Sequence, residues 1–135
     1  MSKAVFFGSA ATLLLALTAL AAEPTGTLTL ACQGTVTVST SVTGKPDRDE
    51  APEATSMGLI LNLTERTVSG LVLPVTIDVI DDEHMQFSGS EGGWRTSGFI
   101  DWVTGDTEIN SIVVSTSFAT SYRYSLKCKP TQRMF

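Results

Sequence analysis

Histidine occurs once in the 135 residues, at His84, and cysteine twice, at Cys32 and Cys128. A structural zinc site takes four Cys or His ligands at short spacing, and neither cysteine has a histidine or another cysteine nearby. A serine triad needs its histidine beside a serine on a strained elbow, and no Gly-x-Ser-x-Gly stretch is present. Basic residues are also few, nine Lys and Arg against fourteen Asp and Glu, for a formal charge of −5. Such a chain exerts no electrostatic pull on nucleic acid or on anionic lipid. Lys127, Lys129 and Arg133 do gather near the C-terminus, but a run that short reads as a solvated edge. Beyond residue 21 no stretch shows the 3.6-residue period of an amphipathic helix.

What is present begins with a targeting pattern. Lys3 supplies a short positive region, Ala4 to Leu20 carries no charge, and Ala19-Leu20-Ala21 is a small-x-small cleavage pattern. That order of parts is a secretory signal peptide, with cleavage expected after Ala21 or Ala22 and a single domain over 22–135. A retained anchor is the alternative, since the apolar run reaches the lower end of spanning length; the Ala, Ser and Thr content and the cleavage pattern favour release. No cysteine follows the run directly, so there is no lipid attachment point. Loss of Lys3 with the signal takes the charge from −5 to −6.

Export places both cysteines in an oxidising space where disulfides persist. A Cys32–Cys128 bridge would tie the start of the domain to its end across 96 residues. In the chain-entropy model a loop of that length is worth about 4–5 kcal/mol, an upper figure. Two buried thiols are the alternative.

The domain itself alternates. Leu28, Leu30, Cys32, Val36 and Val38 share one parity, and Thr27, Thr29, Thr35, Thr37 and Ser39 the other; period 2 with many β-branched residues means strand. Gly34 falls on the apolar side and marks a bend or bulge. Residues 43–56 are charged, carry Pro46 and Pro52 and have no period, so they read as a surface loop. Met57, Leu59, Leu61 and Leu63 form the next apolar row; Val75, Ile77 and Val79 follow, then Met85 and Phe87, with Gly89-Ser90-Glu91-Gly92-Gly93 as a break. Trp94, Gly98, Ile100 and Trp102 share a parity; Thr104-Gly105-Asp106-Thr107 reads as a tight hairpin; Ile109 and Ile112 to Val114 return. Ser115 to Ser121 is read as a polar turn, and Tyr122, Tyr124, Leu126 and Cys128 against Arg123, Ser125, Lys127 and Lys129 form the clearest two-faced strand, ended by Pro130.

The expected fold class is therefore all-β, a small antiparallel up-and-down barrel or strongly curved sheet of about eight strands. Cys32 and Cys128 fall on the inward parity of the first and last strands, and a bond there would pin the two ends of a meander side by side. An immunoglobulin-like sandwich is disfavoured because the usual spacing of a Cys pair around a buried Trp is missing.

Three segments carry a resemblance: Cys32-Gln-Gly34, Gly98-Phe-Ile-Asp101-Trp-Val-Thr-Gly105, and Tyr124-Ser-Leu-Lys-Cys128-Lys-Pro130-Thr-Gln-Arg-Met-Phe135. Together they resemble a group of small exported proteins of rhizobia and related bacteria, with Trp102 standing where the group's Ile-Asp-Arg-Val-Thr-Gly stretch has an arginine. The resemblance covers most of the mature chain and implies a bacterial periplasmic or secreted setting; it brings no activity with it. In size, export, strand content and cysteine placement the chain also resembles bacterial inhibitors of C-type lysozyme. Ser88-Gly89-Ser90 is the only stretch to set beside their inhibitory loop, and no inhibitory role is carried onto it.

The chemistry-bearing residues are thin. Asp81-Asp82-Glu83-His84 offers oxygen ligands and an imidazole, but successive strand residues point to opposite faces, so the stretch reads as a solvated acidic turn. Asp101 is either a carboxylate paired with Arg95 or Arg123 or part of a polar strand face. Asp101, Asp106 and Glu108 are carboxylates of the kind glycoside chemistry uses, yet any acidic β domain supplies such a set. Asn62-Leu63-Thr64 matches a glycosylation sequon, a match expected by chance in a bacterial protein. Phe135 resembles the terminal aromatic of outer-membrane barrels, against which stand Pro130 and the short strands.

The reading is of an exported, non-enzymatic β domain without cofactor or metal that acts by binding a protein, through an exposed loop such as 88–93 or 43–56. The second hypothesis is a carrier barrel holding a small apolar ligand among Trp94, Trp102, Tyr122 and Tyr124. A lesser alternative is a hydrolase inhibitor of the lysozyme-inhibitor type, whose acidic surface would meet a basic enzyme, and an enzyme built on Asp101 and its neighbours trails these. The residues expected at a binding surface are Ser88, Ser90, Trp94, Asp101 and Trp102.

Overall fold

The computed structural model describes residues 25–131; the expected signal peptide, Arg133 and Phe135 lie outside them. Nine strands follow one another: β1 (Thr27–Val42), β2 (Arg48–Asp49), β3 (Glu53–Asn62), β4 (Thr67–Ser69), β5 (Val75–Ile80), β6 (His84–Glu91), β7 (Trp94–Asp101), β8 (Asp106–Val114) and β9 (Phe118–Pro130). Each pairs antiparallel with its neighbour in the order β2-β1-β3-β4-β5-β6-β7-β8-β9, and β1 also pairs with β9. The meander thus closes into an eight-stranded barrel, with β2 a short hairpin partner on the upper part of β1. Among the described residues there is no helix, and none long and apolar enough to cross a membrane.

The period-2 pattern decides which side chains turn inward. Leu30, Cys32, Leu59, Leu61, Val68, Leu73, Val75, Ile77, Met85, Phe87, Ile100, Ile109, Leu126 and Cys128 form one buried cluster. Thr and Ser rows of β1 and Arg123, Ser125, Lys127 and Lys129 of β9 take the opposite parity. This polarity is the reverse of a membrane-spanning barrel, where the apolar band faces lipid and the interior is polar. An eight-stranded barrel is just wide enough for side chains to fill; here Phe87, Met85, Leu59 and Ile109 do so, each contributing about 1.5–3 kcal/mol by burial.

The seam between the first and last strands carries the disulfide. Cys32 and Cys128 stand directly opposite, with Cα atoms 4.0 Å apart and sulfurs bonded. That is the narrow, non-hydrogen-bonded kind of antiparallel pair, so the backbone N–H and C=O of Cys32 point away from β9, toward β3. The same alternation holds further up, where the Val38 carbonyl, also turned from β9, accepts from Glu50 N–H at 2.9 Å. A disulfide of this kind fits an oxidising compartment outside the cytoplasm.

Several sequence expectations need correction in detail. Gly34 is no bulge: the β1–β9 register runs without interruption from Leu30 to Val42. A Cβ at Gly34 would stand 2.0 Å from the Ser125 carbonyl oxygen, so the glycine permits close approach of two backbones. The irregularity lies instead in β5, between Ile77 and Val79; the extra residue turns Val79 out to solvent, where it is 43% exposed, although Val75 and Ile77 are buried. The loop expected at 43–56 is shorter, because β3 already begins at Glu53, and the polar turn expected through Ser121 ends where β9 begins at Phe118. Both stretches are polar because one flank faces water, not because they lack strand structure. The hairpin expected at Thr104–Thr107 is a turn over Trp102–Gly105, closed by Gly105 N–H donating to the Asp101 carbonyl.

Candidate functional site

The aromatic side chains do not share one cavity. Trp94 opens β7 on the inward parity, opposite Val113 of β8. Tyr122 lies on the inward face of β9, opposite Ser111 and Val38, and its ring stacks on Trp94 at 6.1 Å between centroids and 24° between planes. Tyr124 follows two residues on, opposite Val36. Trp94, Tyr122, Tyr124, Val36, Val38 and Val113 are all half-buried, unlike the filled core beneath them. Thr96 and Ser111 close the floor, fully buried and 2.9 Å apart in a hydrogen bond. Burial pushes the Tyr124 phenol above its ordinary value, with Tyr122 beside it adding to the rise.

Trp102 stands at the other end of β7, roughly 25 Å away along the strand. It lines a pocket of about 70 Å³ with Leu28, Leu30, Ile100, Cys128 and Pro130. The four aromatics read as one ligand lining are therefore split, three at one mouth and one at the other, with packed core between. We call the end carrying Trp94 the Trp94 end. Sequence reasoning placed Tyr122 and Tyr124 on the correct face and missed Val36, Val38, Thr96 and Ser111 as their neighbours, although the same parity points to them.

Ser88 and Ser90 both fall on the outward face of β6. Ser88 donates to Asp78 Oδ2 at 2.6 Å, and Ser90 lies opposite Arg95. The segment 88–93 is not a projecting loop: the strand runs through Glu91, and Gly92-Gly93, with φ of 57° and 86°, make a two-residue hairpin turn. Beside that turn is a cleft of about 540 Å³ lined by Glu91, Trp94, Arg95, Ile112 and Val114. A second hollow of about 170 Å³ adjoins it across Ile112, lined by Ser39, Ser41, Asp47, Asp49 and Ala119. Val114 and Phe118, at the adjoining ends of β8 and β9, are 56% and 43% exposed.

Asp101 and Asp81 serve turns, and Asp106 pairs across strands with Lys127. Asp101 Oδ1 accepts from Val103 N–H at 2.8 Å and Thr104 N–H at 3.1 Å, an Asx-turn that starts the β7–β8 connection; it makes no ion pair with Arg95 or Arg123. Replacing Asp101→Ala should cost about 1–2 kcal/mol in urea unfolding and leave any binding at the far end unchanged; a loss of binding at full stability would return Asp101 to the site. Asp81 Oδ1 accepts from the backbone N–H of His84 and of Glu83, each at 2.8 Å. Those two bonds, with His84 Nδ1 at 3.1 Å, hold its pKa below the usual value. Lys127 does the same for Asp106 from 2.9 Å, helped by Thr104. His84 stacks on Phe99 at 5.5 Å. Among the described residues no three His, Cys, Asp or Glu side chains come together to hold a metal ion.

No protein-family model, no curated protein and no solved structure matches this chain.

Proposed function

We propose that this chain is an exported, non-catalytic binding module, which takes an apolar side chain of a partner protein against the Trp94–Tyr122 pair at the Trp94 end of its barrel. The supporting observation is that stack. Trp94 is half-buried, it lines the 540 Å³ cleft with Ile112 and Val114, and exposed Phe118 stands on the neighbouring strand. A rigid, partly exposed aromatic beside apolar side chains, with Glu91 and Arg95 in the same cleft, has the mixed apolar and polar make-up of a protein-interface anchor. The shifted carboxylates, Asp81 between β5 and β6 and Asp106 at the start of β8, are exposed, and both are lowered, away from the neutral range in which a general acid works. The packed interior between the two mouths favours a partner at the surface over an apolar ligand carried inside. Residence in the periplasm or the medium, and membership of the exported rhizobial group, belong to this same proposal.

The test is capture of partners by the disulfide-bonded domain and by a Trp94→Ala, Tyr122→Ala variant. Loss of an anchor pair costs about 2–4 kcal/mol of binding, hence roughly 30-fold or more in Kd. A variant that stays folded and captures the same partner at unchanged affinity defeats the proposal. Retention of a small molecule by protein purified from its own cell, seen by native mass spectrometry, would favour the carrier.

A further inference from the structure

Closure of the barrel is complete along β6–β7–β8–β9–β1 but not opposite them. β3 pairs with β1 along its whole length, Glu53 to Asn62, and with β4 only through Ile60, Leu61 and Asn62. Above that point β4 has ended, and Gly70 to Pro74 turn inward to bury Leu73. Glu53 to Leu59 thus expose one unpaired strand edge among the described residues. The alternation set by the Cys32–Cys128 pair identifies the open groups. Cys32 and Gly34 turn their backbones toward β3 and engage Met57 and Thr55; the N–H and C=O of Ala54, Ser56 and Gly58 therefore face away from β1. Gly70 sits against the Gly58 carbonyl, where an added Cβ would stand at 2.2 Å, which leaves Ala54 and Ser56 free.

Proteins blunt such edges with lysine, proline or a bulge. From Ala54 to Asn62 there is no charge and no proline, and the β1–β3 register is unbroken. The outward side chains at Ala54, Ser56 and Gly58 are small and exposed, so another strand meets no steric barrier. At the Glu53 end of the open edge the chain carries Glu50 and Glu53; the nearest lysines by register, Lys127 and Lys129, stand two strands away on the outer face of β9.

We propose that β3 is a strand-addition site, on which an extended segment of a partner protein pairs with Ala54 and Ser56 and places a Lys or Arg against Glu50 and Glu53. Backbone hydrogen bonds supply affinity in this mode, and the flanking charge supplies selectivity. The occupant is a basic partner and not a second copy, because a second β3 edge, uncharged from Ala54 to Asn62, brings no Lys or Arg to Glu50 and Glu53. This site lies across the barrel mouth from Trp94 and stands or falls independently of the aromatic anchor.

A random dodecapeptide library displayed on phage, panned against the full disulfide-bonded protein, provides the probe. Peptides rich in Lys or Arg and alternating with β-branched residues should be enriched, and the best of them should slow amide hydrogen exchange at Ala54 and Ser56. Ser56→Pro removes an N–H that β1 does not use, so the barrel keeps its ladder, and peptide affinity should fall about 10-fold or more. Ser56→Ala keeps the N–H and should bind as wild type. Should Ser56→Pro perturb the fold, the exchange measurement on the unmodified protein decides by itself. No enrichment, enriched peptides that leave Ala54 and Ser56 unprotected, or acidic peptides in place of basic ones would overturn the proposal. So would a concentration-dependent dimer, seen by sedimentation, that Ser56→Pro abolishes.

Discussion

Reduction of the Cys32–Cys128 bond, or its replacement by two alanines, should lower stability by about 3–5 kcal/mol and Tm by roughly 15–25 °C. The size of the loss follows from topology. The bond closes 96 residues of chain, nearly the whole described domain, so cutting it returns most of the unfolded chain's freedom. It also sits at the β1–β9 seam, the contact between the two ends of the meander and the one that closes the barrel. Both half-cystines are buried in the core, at 1% and 8% exposure, so the alanine pair also leaves a small void. A two-state domain of this size has only about 5–15 kcal/mol in total, so the bond carries from about a fifth to nearly all of it. Urea unfolding with and without reductant measures the difference; a shift below about 1 kcal/mol would mean that the strand ladder alone holds the seam.

Gly34→Ala should be nearly as damaging, and for a different reason. The added Cβ would meet the Ser125 carbonyl oxygen at 2.0 Å and the Leu126 Cα at 2.8 Å. Both are backbone atoms of the strand that the disulfide fixes two residues away, and neither moves without shifting the ladder. Overpacking commonly costs about 1–3 kcal/mol, and a clash with backbone at a pinned seam belongs at or above the upper end of that range. Gly98→Ala is the informative contrast. There the added Cβ meets the tip of the Phe87 ring at 2.1 Å, and Phe87 is opposite Gly98 across the β6–β7 pair. Shortening that ring with Phe87→Leu should recover part of the loss at Gly98→Ala. No core side-chain substitution should rescue Gly34→Ala. Thermal melts of the two single variants and the Gly98→Ala, Phe87→Leu pair check this; equal rescue at both positions would contradict the backbone account.

The strand rows themselves were legible in the residues. Tyr122, Tyr124, Leu126 and Cys128 against Arg123, Ser125 and Lys127 specify inside and outside without further help, because a one-residue slip would turn every apolar side chain to water. The two cysteines on one parity at opposite ends of the domain likewise imply closure of a meander. The candidate site was half legible. Trp94 and Tyr122 were marked as inward aromatics, but their stacking depends on a cross-barrel register that local pattern does not encode. Asp101 looked equally suited to an ion pair or a turn, since both use the same carboxylate and only the path of the chain after Trp102 separates them.

Alternation of β-branched and polar residues is a local property, and through it the chain by itself determined the all-β class, the polarity of each strand and the partners in the disulfide. Strand length relative to neighbours is a property of pairs. Tertiary structure alone decided that β4 stops short beside β3, that Ala54 and Ser56 are left without backbone partners, and that Trp94 and Trp102 occupy opposite mouths. The physical reason is that a hydrogen-bond ladder and a barrel interior are each shared between segments distant in sequence, so what any residue faces is settled by where the other strands end.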